Sequence, residues 1–195
     1  MSNTLIYIHG FLSSPASHKA QQTRLYAERH LPGLNVLIPD MPNTPAAAHQ
    51  RLDEIISAEL NKKDNQLALI GSSLGGFFST VFGERYNLPA VLINPAVRPH
   101  TFGDAFVGEH RNPYTGVDFT VTPDDLDCLR DLHPETITPS RYWVMVQEGD
   151  ETLDYRHAMD YYRECRILCE PGGDHSFQGF ERHLPEVVAF LRLNS

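Results

Sequence analysis

A chain of 195 residues suits one domain and is long enough to bury a substantial core. Its formal net charge of −9 argues against nucleic acid or an anionic membrane as the main partner. No segment reaches the roughly 18 apolar residues of a membrane span, and the N-terminus has no basic region typical of a signal peptide. Because three cysteines leave one without a disulfide partner, we expect a cytoplasmic protein.

Short apolar runs alternate with longer amphipathic stretches along the chain. Continuous rather than alternating hydrophobicity is typical of parallel strands that are covered on both faces. Such runs predict six strands, at residues 5–8, 36–38, 67–70, 90–93, 142–146 and 166–169. Strands separated by helices indicate an α/β fold of three layers, with a mostly parallel sheet between helices on both faces.

Helices are predicted between most of these strands. Thr44 and Pro45 suit a helix start, because the hydroxyl can cap the first turn and proline is favoured at the first helical position. An apolar face follows at spacings of three and four residues, consisting of Leu52, Ile55, Ile56 and Leu60. Similar apolar faces predict one helix directly after residue 73 and another after Pro185.

Residues 96–140 depart from this alternation. They are rich in proline, aspartate and histidine and show no clear strand. We expect residues 1–195 to form a single domain in which residues 96–140 are an inserted lid or cap, made of loops or short helices.

The sequence Gly71-Ser72-Ser73-Leu74-Gly75 fits the pattern G-x-S-x-G. At a sharp turn from strand to helix, small flanking residues avoid clashes and the central serine is held above the edge of the sheet. The predicted strand before the motif and the predicted helix after it supply this context. The alternative is a glycine-rich turn in which the serine only caps the helix.

A serine hydroxyl needs an adjacent base, oriented by a carboxylate, to act as a nucleophile. His175 follows the last predicted strand and therefore reaches the same sheet edge as Ser73. Of the acids after the preceding strand, Asp150 is favoured because it follows a loop glycine, whereas Asp154 suits a cap for the helix beginning at Tyr155. The chain order of Ser73, Asp150 and His175 is that of an α/β-hydrolase.

Acyl transfer also needs hydrogen-bond donors for the developing oxyanion. The expected donors are the backbone N–H groups of Leu74, directly after the serine, and of Phe11, in the loop after the first strand. His9 is interpreted as a structural residue of that loop. Three aromatic side chains of the insertion, Phe102, Phe106 and Tyr114, are candidates for lining an acyl pocket with Phe11. They could equally serve only to pack the insertion onto the core.

Together these motifs resemble the α/β-hydrolase superfamily and, more narrowly, the small YqiA-type esterases of bacteria. The resemblance rests on residues 7–11, 13–15, 39–42, 71–76, 149–155 and 173–175. It implies a compact hydrolase that acts on acyl esters or thioesters, with acyl-CoA among the candidate substrates, without cofactor or metal. It also implies that Ser73, Asp150 and His175 are the catalytic serine, acid and histidine.

Two other functions remain open at this point. A peptidase or a C–C bond hydrolase could use the same three residues. A binding protein could retain the fold without catalysis, although it would have little need to keep nucleophile, base, acid and both glycine-rich loops together.

Overall fold

The computed structural model describes residues 2–193, and its centre is one sheet of six parallel strands. A separate antiparallel hairpin is formed by two further strands. In chain order the strands are β1 (Ser2–Ile8), β2 (Leu34–Leu37), β3 (Asn65–Ser72), β4 (Ala90–Ile93), β5 (Gly108–Arg111), β6 (Asp118–Val121), β7 (Tyr142–Gln147) and β8 (Arg166–Glu170). The large sheet has the order β2-β1-β3-β4-β7-β8, so β3 and β4 lie at its centre.

Helices cover both faces of this sheet. They are α1 (His18–His30), α2 (Pro45–Leu60), α3 (Leu74–Tyr86), α4 (Pro123–Leu132), α5 (Tyr155–Tyr161) and α6 (Leu184–Phe190). Because side chains alternate along a strand, Ile6 packs in the core with α2, α3 and α5, whereas Leu5 packs in a second core with α1 and α6. Within the described residues, no helix is both long and apolar enough to span a membrane.

The predicted strands and the three-layer arrangement are confirmed. Helix α2 begins at Pro45, as predicted, and Leu52 and Ile56 are fully buried. One detail of the prediction is wrong, because the Thr44 side chain makes no capping hydrogen bond. The apolar face also ends earlier than expected, since Leu60 is 37% exposed.

The segment between β4 and β7 is more regular than its sequence indicated. Residues 96–140 were expected to lack strands, yet they contain the β5–β6 hairpin as well as α4. Glu109 and Arg111 point outward on β5, so no apolar run marks that strand. Val121 and Leu129 are fully buried and attach this segment to the core.

The turn from β3 into α3 brings three backbone segments into close contact. A Cβ atom at Gly75 would overlap the carbonyl oxygen of Ile8 at the end of β1. One at Gly71 would overlap the Gly75 carbonyl and the Ser79 hydroxyl. The glycines therefore allow α3 to begin directly against the ends of β1 and β3, at the carboxyl edge of the sheet.

This contact predicts that Gly75→Ala lowers the free energy of unfolding by about 1–3 kcal/mol, because backbone atoms must move to admit the methyl group. Urea denaturation followed by circular dichroism measures the change. The matched control is Gly33→Ala, at an exposed position where an added Cβ would meet nothing within 4 Å. Equal stability of the two variants would contradict the close approach of α3 to β1.

Candidate active site

Ser73 occupies the turn between β3 and α3 in a strained backbone conformation. Its φ of 56° and ψ of −122° lie in a region that costs a non-glycine residue about 1–3 kcal/mol. Backbone hydrogen bonds to β4 and to the neighbouring turns hold it there. The Ser73 N–H donates to the Ile93 carbonyl at 3.0 Å, and the Ser73 carbonyl accepts from the N–H groups of Gly76 and Ala96 at 2.9 and 3.0 Å. The side chain consequently projects from the carboxyl edge of the sheet.

The structure brings the three predicted side chains together in one hydrogen-bonded chain. The Nε2 atom of His175 lies 3.1 Å from the Ser73 Oγ atom. The Nδ1 atom of His175 lies 2.9 and 2.8 Å from the two carboxylate oxygens of Asp150. Since a carboxylate can only accept, Nδ1 carries the proton and Nε2 is left to accept from the serine hydroxyl. This arrangement can remove a proton from Ser73 Oγ.

The Asp150 carboxylate is buried and is held in place by backbone hydrogen bonds as well as by His175. Its side chain is 1% exposed, and its Oδ1 atom also accepts from the N–H groups of Thr152 and Leu153, at 2.9 and 2.8 Å. Asp154 instead caps α5 by accepting from the Arg156 N–H at 3.0 Å, as predicted. The structure therefore directs Asp150, and not Asp154, at the imidazole.

Two buried amides that the sequence analysis missed hold the loop carrying His175. The Nδ2 atom of Asn94, directly after β4, donates to the carbonyls of Asp174 and His175 at 3.0 and 3.2 Å. The Oδ1 atom of Asn94 accepts from the Gln147 N–H at 3.0 Å, and the Gln147 Oε1 atom accepts from the Gln178 N–H at 2.8 Å. Both amide side chains are 2% exposed. Their only sequence signal is their place at the ends of neighbouring strands.

The two predicted oxyanion donors belong to two segments next to Ser73, the start of α3 and the loop after β1. Leu74 is the first residue of α3, so its N–H is one of those that a helix leaves without an intrahelical acceptor. Phe11 follows Gly10, at which an added Cβ would lie 3.0 Å from the Ser73 Cβ atom and 3.5 Å from its Oγ atom. The loop after β1 thus passes directly beside the serine.

His9 is a structural residue of this loop, in keeping with its interpretation from sequence. Its ring is 6% exposed, and its Nδ1–H donates to the Gly10 carbonyl at 3.1 Å. Burial lowers the pKa of the imidazole, against the opposing effects of the Gly10 carbonyl and the Asp40 carboxylate. The buried His9 ring is therefore part of the packing around the loop after β1.

The aromatic side chains of the insertion are divided between two roles. The Phe106 ring is buried and lies 4.5 Å from the Phe11 ring, and the Phe102 ring lies 6.2 Å from the Phe106 ring. Phe106 thus packs against Phe11 and Phe102 packs against Phe106, and neither ring lines the cleft above Ser73. These contacts attach the insertion to the loop after β1, and a role of Phe102 and Phe106 in an acyl pocket stays a prediction. Tyr114, which is 54% exposed, does line the cleft.

The cleft above Ser73 has a volume of about 360 Å³, and most of the residues that line it are polar. Besides Ser73, His175 and Tyr114, it is lined by Lys19 and Glu151. The Lys19 Nζ atom donates to the Ser176 carbonyl at 2.6 Å, next to His175 in the chain. Burial lowers the pKa of the Lys19 ammonium to about 8, although the carboxylates of Asp174 and Asp150 oppose this effect. No sequence motif marks Lys19 as a residue of the site.

The described residues hold no group of three or more His, Cys, Asp and Glu side chains placed to bind a metal ion.

Comparison with known proteins identifies relatives of the whole chain. Residues 4–192 match the model of an uncharacterised protein family, UPF0227. One relative is a UPF0227 protein of Shewanella woodyi (strain ATCC 51908 / MS32). It is 24% identical over 191 residues, which cover 96% of this chain and 99% of the relative.

Solved structures share the fold at low sequence identity. The α/β hydrolase domain-containing protein 10 from mouse has a TM-score of 0.72 at 15% identity, covering 98% of this chain and 90% of that one. The monoacylglycerol lipase of Paleococcus ferrophilus has a TM-score of 0.67 at 16% identity, covering 98% of this chain and 95% of that one. The predicted α/β-hydrolase fold is confirmed by this likeness. The chain therefore belongs to the UPF0227 family and has the α/β-hydrolase fold.

Proposed function

We propose that this protein is a serine hydrolase that cleaves carboxylic esters or thioesters through an acyl-enzyme. The observation that carries the proposal is the hydrogen-bonded chain from Ser73 Oγ through His175 to the buried carboxylate of Asp150. Support also comes from the fold, which the chain shares with a monoacylglycerol lipase.

In the proposed reaction, Ser73 Oγ attacks the acyl carbonyl carbon while its proton passes to His175 Nε2. The carbonyl oxygen becomes an oxyanion that accepts hydrogen bonds from the N–H groups of Phe11 and Leu74. Collapse of this intermediate breaks the bond to the alcohol or thiol, which leaves with the proton from His175. Water then repeats the sequence on the acyl-enzyme and releases the acid.

In the proposed reaction, the Asp150 carboxylate and the Leu74 N–H each lower the activation free energy. The carboxylate of Asp150 keeps the imidazole in the tautomer that accepts at Nε2 and stabilises the imidazolium that forms. The N–H of Leu74 stands at the start of a helix of 13 residues, where the helix dipole favours developing negative charge. An oxyanion donor of this kind contributes about 2.7–4 kcal/mol to transition-state stabilisation.

We also propose that the substrate is a small molecule and that the protein works in the cytoplasm, where its three free cysteines would remain reduced.

Residues 96–140 are proposed to act as a partial cover over the cleft within a single domain. Tyr114, at the tip of the β5–β6 hairpin, supports this because it lines the cleft beside His175.

The nucleophile is tested by labelling with a fluorophosphonate probe and by hydrolysis of an activated ester. We expect the wild-type protein to be labelled and Ser73→Ala to be unlabelled, with kcat lower by roughly 10⁴-fold. Ser72→Ala is the matched control, because this neighbouring hydroxyl is 7% exposed and should not be needed for labelling. Labelling of Ser73→Ala at the wild-type level would contradict the proposal.

The acid is tested by comparing Asp150→Asn with Asp154→Asn. The first change should lower kcat by about 10⁴-fold, because an amide facing His175 Nδ1 favours the wrong tautomer. The second should leave kcat within a few fold, since asparagine also caps helices well. Steady-state kinetics on the same activated ester measure both. If Asp154→Asn were the more damaging change, the acid would be wrongly assigned.

A further inference from the structure

A second and much smaller cavity, of about 30 Å³, adjoins the proposed oxyanion donors. It shares the loop of residues 10–13 with the larger cleft, and Leu74 contributes to its wall. A carbonyl bound by the Phe11 and Leu74 N–H groups has two substituents to place. The cleft of about 360 Å³ and this small cavity both border the loop of residues 10–13 that carries the Phe11 N–H.

The wall of the small cavity is mostly apolar and consists of core side chains. Its apolar members include Phe11, Met41, Pro45, Ala48, Leu74 and Phe78. Phe78 and Ala48 are 2% and 5% exposed and belong to the core that joins α2 and α3 to the sheet. Because protein interiors are close-packed, enlarging the cavity on this side would require displacing core side chains.

The buried amide of Asn112, whose nitrogen and oxygen both have hydrogen-bond partners, lines the cavity on the side of the insertion. Asn112 is 3% exposed, and its Nδ2 atom donates to the Ser13 carbonyl at 3.2 Å and to the Asn43 Oδ1 atom at 3.1 Å. Its Oδ1 atom accepts from the N–H groups of Tyr114 and Thr115 at 2.9 and 3.3 Å. These bonds tie the hairpin tip to the loops after β1 and β2, so the cavity has a fixed wall on this side as well.

We propose that the small cavity receives the acyl group and limits it to short chains of about two to four carbons, while the alcohol or thiol occupies the polar cleft. About 10–15 Å³ of such volume accommodates one water-sized group, so this cavity holds two or three heavy atoms beyond the carbonyl carbon. The inference rests on the proposed serine hydrolase function and specifies its substrate class.

The direct test uses 4-nitrophenyl esters of the C2, C4, C8 and C12 acids, which share one leaving group. We expect kcat/KM to be highest for C2 or C4 and to fall at least about 100-fold by C8. Equal or higher kcat/KM for C8 or C12 would overturn the inference.

Two variants change the cavity in opposite directions. Ala48→Leu fills it and should lower kcat/KM for the C4 ester more than for the C2 ester. Met41→Ala opens its loop side, where Met41 is only partly buried, and should move the best substrate to a longer chain.

Met159→Ala is the matched control, because this half-buried methionine lies on α5 and lines neither space. Its chain-length profile should equal that of the wild type, and an equal shift in all three variants would overturn the inference.

Fluorophosphonate labelling of Ser73 in the same preparations separates this inference from the proposal on which it rests. Labelled protein with a preference for C12 would reject the short-chain cavity and leave the serine hydrolase intact. Absence of both labelling and ester hydrolysis would reject the serine hydrolase, and the inferred acyl cavity with it.

Discussion

The positive φ of Ser73 is the constraint on which the remainder of the site depends. It is sustained by backbone hydrogen bonds to β4 and to the turn that follows β4, and by glycines that let α3 start against β1. The strain of about 1–3 kcal/mol is small beside the packing of the central strands, so the fold can maintain it. As a result, the Ser73 side chain lines the cleft and the Leu74 N–H lies at the first position of α3.

The parallel sheet converts distant parts of the chain into neighbours. Loops after β1, β3, β4, β7 and β8 all leave from one edge, and each contributes a group to the site. Asn94 and Gln147 add rigidity, because each amide satisfies several backbone groups of the loop that carries His175. The proposed proton transfer from the serine to the imidazole needs the distance of 3.1 Å between Ser73 Oγ and His175 Nε2, and these buried hydrogen bonds restrain the loop that carries the imidazole.

The elements closest to the core were the most predictable from sequence. Strands such as β4 and β7 are buried on both faces and read as continuous apolar runs, and the glycines around Ser73 reflect direct steric contacts. The meeting of Ser73, Asp150 and His175 followed from strand ends that share an edge, whereas their catalytic roles stay predictions. Asn94 and Lys19 carry no local pattern, since their importance arises only from contacts with residues far along the chain. The β5–β6 hairpin was missed because its outward-facing residues are polar.

The central claim is that Ser73 Oγ attacks a carbonyl whose oxygen is held between two backbone N–H groups. The most direct measurement is a crystal structure of the protein after reaction with an alkyl fluorophosphonate. The account predicts phosphorus bonded to Ser73 Oγ, with the phosphonyl oxygen about 2.7–3.1 Å from the nitrogens of Phe11 and Leu74. Phosphorus on another side chain, or a phosphonyl oxygen turned away from both N–H groups, would contradict it.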